Sequence, residues 1–255
     1  MELKIYQQEA LNTLTSFCKN YKESSGKVEE AFNNTLKNSE QFSEPYEPYL
    51  KVKESTAPYI CIRIPTGGGK TLIAAKSLKP VIEELYENDK TFLVIWLAPK
   101  DIIVNQTIKA LKDPKHPYRK AIDEDFPSTS INVMKLKDAL TNTFNKKTDI
   151  TILVGSMQSF NVGNDDIRKF YYLNSNYANF FFFFKYKDEP SLANAIKEAS
   201  PYIIIDEAHK ARANLSLSNI INLNPSFVLE LTATPERNHK PNAGKYASNI
   251  IYSVS

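Results

Sequence analysis

IRIPTGGGKTLIAA (residues 62–75) places three consecutive glycines, a lysine and a threonine between two apolar runs. The chain has only 7 glycines in 255 residues, so three adjacent ones are a concentrated use of this residue. Glycine tolerates positive φ and lets a ligand approach the backbone amides closely. Amide N–H groups curled at the start of a helix form an anion site, which the helix dipole reinforces. The stretch therefore predicts a phosphate-binding loop between a strand and a helix.

The side chains of this loop have distinct predicted tasks. Lys70 would reach the β and γ phosphates, and the Thr71 hydroxyl would bind Mg²⁺, which takes few protein ligands. The strict pattern GxxxxGK[ST] is not met, because position 64 is isoleucine where that pattern has glycine. The alternative is a glycine-rich turn without a ligand. The predicted nucleotide-binding residues of the loop are Thr66, Gly67, Gly68, Gly69, Lys70 and Thr71.

A second motif, IIIDEAH (residues 203–209), puts two adjacent carboxylates at the end of an apolar run. In a phosphoryl-transfer site the first, Asp206, would hold Mg²⁺, and the second, Glu207, would orient and deprotonate the attacking water. We therefore predict Lys70, Asp206 and Glu207 as catalytic residues, and Thr71 and Asp206 as metal ligands. A solvated loop after a strand is the alternative. If the glycine loop and the acidic pair lay on opposite sides of a sheet, this interpretation would fail.

Strand-length apolar runs alternate with helix-length segments along the chain, which predicts a parallel α/β sheet with helices on both faces. Near-continuous runs such as TFLVIWLAP suit strands buried on both faces. We predict a kink or restart of the second helix at Pro80 and an N-cap at Asp101. The predicted strands lie near residues 59–64, 91–99, 131–136, 149–158, 201–209 and 226–235, and the predicted helices near 3–21, 71–88 and 101–113.

Two segments interrupt this alternation and are predicted to be insertions. Residues 22–57 are polar and contain several prolines, which is typical of a long loop with room for one short helix. Residues 161–200 include five consecutive phenylalanines, Phe180 to Phe184. These rings have three alternative interpretations: a buried strand or hairpin, a surface that packs on a neighbouring domain, or a platform that stacks nucleotide bases.

Composition excludes several classes of protein. A hydrophobic content of 42% with 24% charged residues argues against a disordered chain, and a net charge of +3 permits an anionic partner without requiring one. The two cysteines and three histidines show neither a disulfide framework nor zinc-ligand spacing. Because the sequence has no secretory leader and no membrane-spanning run, we expect a cytoplasmic protein with no membrane partner.

Three motifs in this order, TGGGKT (66–71), DEAH (206–209) and LTATP (231–235), resemble motifs I, II and III of superfamily 2 helicases and translocases. Tyr6-Gln7 resembles the glutamine motif of that family. Ala98-Pro99-Lys100 with Gln106 resembles motif Ia, and Gly155-Ser156 resembles motif Ib. The resemblance implies a P-loop NTPase of the RecA-like type, with ATP and Mg²⁺ as cofactors.

The resemblance also implies roles for single residues. Gln7 would contact adenine. The residues that would couple the nucleotide to nucleic acid are His209, Thr232, Ala233 and Thr234. The residues that would contact the sugar-phosphate backbone, which contributes affinity but not sequence specificity, are Pro99, Lys100, Gln106, Gly155 and Ser156. Arg237 is interpreted as a surface or phosphate contact, because the arginine finger of such motors normally comes from the opposite lobe.

Among these motors, the chain most resembles the Res subunit of type III restriction enzymes. The match lies in IYQQEA (5–10), the long polar stretch before IRIPTGGGKT, GSMQSF (155–160) and IIDEAHKARA (204–213) followed by LELTATPER (229–237). It implies a DNA-translocating ATPase within a site-specific endonuclease, acting on double-stranded DNA with a separate modification (methyltransferase) subunit. Another superfamily 2 DNA or RNA helicase, or a nucleotide-binding module that is not a motor, remains an alternative.

Such motors also need a second RecA-like lobe, and in type III subunits a nuclease domain follows it. Only a short tail follows Thr234, so we expect residues 1–255 to form a single N-terminal lobe with a glutamine-motif helix at residues 1–21 and without the second lobe or the nuclease. A truncation, a split gene and a gene fragment are the alternatives for its origin. We expect the isolated lobe to bind ATP weakly and to hydrolyse it very slowly.

Overall fold

The strands of the chain form one parallel sheet, which confirms the predicted α/β fold. The computed structural model describes residues 2–39, 48–52, 55–86, 92–144, 149–156, 159, 169–178, 189–207, 217–240 and 246–254. Within these ranges the sheet has seven strands in the order β3-β4-β2-β5-β6-β1-β7. The strands are β1 (Tyr59–Arg63), β2 (Phe92–Ala98), β3 (Ser130–Lys135), β4 (Asp149–Ser156), β5 (Tyr202–Asp206), β6 (Phe227–Thr232) and β7 (Ile250–Ser253).

Helices flank the sheet and connect successive strands. They are α1 (Ile5–Glu23), α2 (Val28–Lys37), α3 (Lys70–Lys76), α4 (Leu78–Leu85), α5 (Asp101–Lys112), α6 (Pro117–Asp125), α7 (Leu192–Ala199) and α8 (Leu217–Ile221), with short 3₁₀ helices at Leu136–Leu140 and Ser175–Tyr177. None of the described helices is both long enough and apolar enough to cross a bilayer.

Both faces of the sheet are covered by a hydrophobic core. In β2, Val94, Trp96 and Ala98 point into the core on one face, and Leu93, Ile95 and Leu97 point into the core on the other. Because successive side chains of a strand point to opposite faces, a strand covered on both sides has no polar positions to spare. This arrangement explains the near-continuous apolar runs in the sequence.

Two helices differ from their predicted limits. The second predicted helix is divided at Ser77, where α3 ends and α4 begins, three residues before Pro80. Proline cannot donate to the carbonyl four residues earlier and its ring crowds that carbonyl, so the break precedes the proline. Asp101 is the first residue of α5 rather than its cap, and the cap position is Lys100.

Other elements were not predicted from the sequence. The segment interpreted as a proline and aspartate loop contains α6, whose first residue is Pro117, a favoured position for proline. Helix α2 is the one short helix for which the first insertion was expected to have room, whereas α7 in the second insertion and β7, which the C-terminal tail forms beside β1, were not predicted. Ile5, which the sequence groups with the apolar positions of α1, is 80% exposed, because at 100° per residue it lies on the side of the helix opposite the buried Gln7 and Leu14.

The strand register brings the predicted motifs to one edge of the sheet. In the parallel pairings, Arg63 at the end of β1 lies beside Thr232, and Asp206 at the end of β5 lies beside Leu231. At the other side of β5, Ala98 of β2 is paired with Ser156 of β4. The carboxyl ends of parallel strands form the usual ligand crevice of such sheets.

Candidate nucleotide and nucleic-acid site

The three glycines of the loop are required for two different reasons. Gly67 and Gly69 have φ values of 79° and 80°, in the left-handed region that favours glycine. Gly68 has an ordinary φ, but a Cβ at this position would lie 2.5 Å from Ile64 Cγ2. The loop therefore turns sharply between β1 and α3, and the glycines keep its backbone free of side chains.

Helix α1 is hydrogen-bonded to this loop through the carbonyl group of Gly68. Tyr6 Oη and Gln7 Nε2 each donate a hydrogen bond of 2.9 Å to the carbonyl oxygen of Gly68. Gln7 Oε1 also accepts a 3.0 Å bond from the backbone N–H of Lys4, so the amide of Gln7 is held at both ends. Gln7 is 4% exposed. Its contact with adenine remains a prediction, and the structure adds a contact between Gln7 and the phosphate loop.

Lys70 lies at the bottom of the loop, where it is 4% exposed. Its Nζ is 2.9 Å from Glu207 Oε1, and it donates to the carbonyl oxygens of Pro65 at 3.2 Å and Ile64 at 3.4 Å. A buried ammonium group needs such partners, because removing it from water is costly. In this structure the partners of the ammonium group are therefore two carbonyl groups at the start of the loop and the carboxylate of Glu207.

Thr71 and Asp206 connect the two predicted motifs directly. The Thr71 hydroxyl donates a 3.2 Å hydrogen bond to Asp206 Oδ2. Burial, followed by the negative charge of Glu207, raises the pKa of Asp206 to about 6, although Thr71 and Lys70 act in the opposite direction. The glycine loop and the acidic pair thus lie on the same side of the sheet, as the interpretation of the sequence requires.

The same two residues fit a magnesium site. Asp206 is 4% exposed, and its Oδ1 is buried and accepts no hydrogen bond from any described residue. An unpartnered buried carboxylate oxygen beside a threonine hydroxyl is a suitable pair of ligands for Mg²⁺, which prefers oxygen and keeps most of its waters. A cation there would also offset the burial of the Asp206 charge.

Glu207 adopts an unusual backbone conformation for a residue with a side chain. Its φ is 55°, in the left-handed region, directly after the last residue of β5. This conformation costs about 1–2 kcal/mol for a residue with a Cβ. The turn takes Glu207 out of the strand alternation, and its carboxylate then reaches Lys70. Strain of this kind is found at functional sites.

The motif III segment packs beside the end of β1. The backbone N–H of Ile64 donates a 2.9 Å bond to the carbonyl oxygen of Thr232, and Arg63 Nε donates a 3.3 Å bond to that of Ala233. Thr232 Oγ1 accepts a 3.2 Å bond from the N–H of Thr234. Ile64 therefore contacts both motif III and, through its own carbonyl, Lys70.

The predicted coupling residue His209 and the phenylalanine run lie outside the described residues. The alternatives for Phe180 to Phe184 therefore stay open, and the role of His209 remains a prediction.

Of the predicted nucleic-acid residues, Pro99 and Lys100 follow β2, Gly155 and Ser156 end β4, and Gln106 lies within α5; they differ in exposure. Lys100 and Gln106 are exposed, whereas Pro99, Gly155 and Ser156 are buried. Ser156 Oγ is hydrogen-bonded to Ser159 Oγ at 3.2 Å. Of these five residues, therefore, only Lys100 and Gln106 have side chains that a ligand can reach in this structure.

One residue of the site was noted in the sequence but received no role. Tyr6 makes the same contact with Gly68 as Gln7 does. The two donors lie in the first turn of α1, and the loop carbonyl is far from them in sequence. The only feature of the sequence that could have indicated a role for Tyr6 is its position directly before Gln7.

Comparison with known proteins identifies a family. The family model described as "Type III restriction enzyme, res subunit" matches residues 1–237, which confirms the family predicted from the motifs. No curated protein shows significant sequence similarity to the chain.

Among solved structures, the chain is similar to a nuclease-deletion mutant of the type ISP restriction-modification enzyme LlaGI in complex with a DNA substrate mimic. The TM-score is 0.50 with 15% identity, over 100% of this chain and 20% of that one. The UvsW helicase from bacteriophage T4 matches at TM-score 0.41 and 16% identity, over 87% of this chain and 66% of that one. The chain thus spans about a fifth of the length of the LlaGI protein, and at this identity the likeness supports the fold alone.

Proposed function

The chain belongs to the family of type III restriction enzyme res subunits, and we propose that residues 1–255 form the ATP-binding motor lobe of a DNA-dependent translocase in a restriction system. In this proposal the lobe works with a second RecA-like lobe and with a modification subunit that reads the DNA sequence. Double-stranded DNA is the proposed substrate of the motor.

The observation that carries this proposal is the 3.2 Å hydrogen bond between Thr71 Oγ1 and Asp206 Oδ2. This bond joins the first turn of α3 to the end of β5, which are distant in sequence. Both lie where the carboxyl ends of the parallel strands meet, which is the usual ligand crevice of such sheets. Lys70 and Glu207 meet at the same place. A phosphate loop, a cation ligand and a second carboxylate within one cluster are the parts that hydrolysis of a nucleoside triphosphate requires.

In the proposed mechanism, Lys70 leaves Glu207 and binds the β and γ phosphates, while amides of the glycine loop contact the phosphate oxygens. Thr71 and Asp206 would hold Mg²⁺, which would supply positive charge beside the phosphates. Glu207, released from Lys70, orients the attacking water and accepts its proton. The adenine base would lie beside Gln7. Each step uses residues that already contact one another.

DNA binding is proposed for the exposed surface around Lys100 and Gln106, with Pro99, Gly155 and Ser156 supporting it from beneath. A lysine that contacts a phosphate contributes affinity that falls as salt increases. Thr232, Ala233 and Thr234, with His209, are proposed to connect this surface to the nucleotide. The isolated lobe should turn over slowly, because an arginine finger from a second lobe is worth about 10³–10⁵ in rate.

Binding of a fluorescent ATP analogue with Mg²⁺ tests the proposal. Lys70→Ala removes the charge that meets the phosphates, and we expect the affinity to fall by roughly ten-fold or more, as for a lost charge-assisted hydrogen bond. Lys79→Ala is the matched control, because Lys79 is a partly exposed lysine of the neighbouring helix α4, where it is paired with Glu83. Equal affinities for the two variants would contradict a nucleotide site at the glycine loop.

A salt titration of DNA binding tests the second part of the proposal. Replacing Lys100 with alanine should weaken binding to all duplex sequences alike and reduce the slope of log affinity against log salt by about one. An unchanged slope would show that Lys100 does not contact phosphate. The same titration with an RNA duplex separates the DNA motor from an RNA helicase.

A further inference from the structure

A buried carboxylate lies in the strand that leads into motif III, and the proposed chemistry does not use it. Glu230 of β6 is completely buried, two residues before Thr232. Tyr59 Oη donates a 2.7 Å hydrogen bond to its Oε2, and Ser248 Oγ lies 3.1 Å from each of its carboxylate oxygens. A carboxyl group in a core is costly unless it is hydrogen-bonded, so its presence among the apolar residues of β6 requires an explanation.

Ser248 connects this carboxylate to the far end of motif III. Its hydroxyl oxygen accepts a 3.0 Å bond from the backbone N–H of Glu236, the residue directly after TATP. The N–H of Ser248 donates a 2.9 Å bond to the carbonyl oxygen of Glu236. Residues 233–236 form the loop after β6. Glu230 belongs to the strand that precedes this loop, and its carboxylate is connected through the hydroxyl of Ser248 to Glu236 at the end of the loop.

The opposite side of the loop is tied to the nucleotide site. Ile64 donates to the carbonyl of Thr232, and the carbonyl of Ile64 accepts from Lys70. When Lys70 moves to a triphosphate it leaves Ile64, so nucleotide binding changes the contacts at this point. A loop that is anchored at its other end can transmit such a change, whereas an unanchored loop would absorb it locally.

We propose that Glu230 and Ser248 are positioning residues, which anchor residues 233–236 so that nucleotide binding changes the affinity of this lobe for DNA. This inference rests on the proposed function, because it assumes that the loop lies between an ATP site and a DNA site. Coupling is a free energy shared by two ligands, so it can be lost while each separate affinity is kept.

The test compares two hydroxyl groups that bind the same carboxylate. Ser248→Ala removes the hydroxyl that links Glu230 to Glu236, and Tyr59→Phe removes the other hydroxyl without touching the loop. Ser248→Thr restores a hydroxyl at position 248. For each variant and the unchanged chain, the affinity for a fluorescein-labelled DNA duplex is measured with and without the Mg²⁺ complex of a non-hydrolysable ATP analogue, and stability is measured by urea unfolding.

We expect the ATP analogue to change the DNA affinity of the unchanged chain several-fold. The Tyr59→Phe and Ser248→Thr variants should show the same change. Ser248→Ala should lose the shift, with its nucleotide affinity and its DNA affinity without nucleotide changed less than two-fold. Loss of stability should be similar in Ser248→Ala and Tyr59→Phe, so stability alone would not explain the difference.

Three results would overturn the inference. Ser248→Ala could keep the full shift, Tyr59→Phe could lose it equally, or the unchanged chain could bind both ligands without any shift. If the unchanged chain binds no nucleotide or no DNA, the proposed function itself fails and this inference fails with it. The first two results leave the proposed function intact, whereas the third keeps the two binding sites but removes the proposed connection between them.

Discussion

Lys70 Nζ lies 2.9 Å from Glu207 Oε1, so the cation that would bind phosphate is paired with the carboxylate that would activate water. Both side chains are largely buried, at 4% and 20% exposure, and their attraction is therefore screened less than that of a surface pair. In the proposed mechanism, a triphosphate takes the place of Glu207 beside Lys70. The same exchange would release Glu207 for its own role, which links binding to activation.

This competition predicts the behaviour of Glu207→Gln. The amide has no negative charge, so it holds Lys70 less firmly and the triphosphate meets less competition. We expect ATP to bind at least as tightly as to the unchanged chain, while hydrolysis in the two-lobed motor is abolished because the base is missing. Equilibrium binding and a single-turnover assay measure the two quantities.

Glu83→Gln is the control for that variant, because Glu83 forms an exposed pair with Lys79 and lies outside the site. It should change neither binding nor hydrolysis. If Glu207→Gln lost ATP affinity and turnover to the same extent, the assignment of Glu207 as a base would be wrong and a role in binding would replace it.

The glycine loop offers a matched pair of substitutions. Gly67 and Gly69 have almost the same φ, but a Cβ at Gly67 would enter open space and one at Gly69 would collide with Gln7 Nε2. Gly67→Ala should lower the free energy of unfolding by about 1–2 kcal/mol, the cost of the left-handed conformation. Gly69→Ala should cost about 0.5–1.5 kcal/mol more, because Gln7 must leave the carbonyl of Gly68.

A double-mutant cycle isolates that difference, which urea unfolding can measure. In a Gln7→Ala background there is no glutamine side chain to displace, so Gly67→Ala and Gly69→Ala should lower the free energy of unfolding by the same amount. If the larger cost at Gly69 persisted without Gln7, the contact between α1 and the loop would not be its cause.

The raised pKa of Asp206 predicts how stability depends on pH. Burial and the charge of Glu207 raise this pKa from 3.8 to about 6 in the folded chain. Between these two values the folded state retains a proton that the unfolded state has released, so this group lowers the free energy of unfolding as pH rises. Asp206→Asn removes that contribution, and its stability relative to the unchanged chain should increase across this interval in metal-free buffer.

Urea unfolding of both proteins at several pH values measures the effect. From about one pH unit above the folded-state pKa the difference should be constant, since Asp206 is then ionised in both states. A difference that does not change between pH 4 and 6 would mean that Asp206 titrates in the folded chain as it does in the unfolded one.

The meeting of the two motifs could be predicted from the sequence, because Lys70 and Asp206 each follow an apolar strand and parallel strands end at one edge of a sheet. The contact of Tyr6 with Gly68 could not be predicted in the same way. It depends on how α1 crosses the sheet, which the spacing of apolar residues in α1 does not specify. β7 was not predicted because it has only four residues, although Ile250, Ile251 and Tyr252 are of types that are enriched in strands.

Gly155 shows how a glycine in a resemblance-based motif can have a second explanation. A Cβ at this position would lie 2.9 Å from Leu136 Cδ2 and 3.1 Å from Leu136 Cβ, so the 3₁₀ helix packs directly on the backbone of β4. We expect Gly155→Ala to lower the free energy of unfolding by about 1–3 kcal/mol through overpacking. In a Leu136→Ala background the 2.9 Å contact with Cδ2 is removed and only the 3.1 Å approach to Cβ remains, so the same substitution should cost less. The DNA affinity of the folded protein separates the two explanations. An affinity that is unchanged in Gly155→Ala would show that the glycine is required for packing. A loss of DNA affinity that persists in the Leu136→Ala background would show that the glycine contacts the DNA backbone.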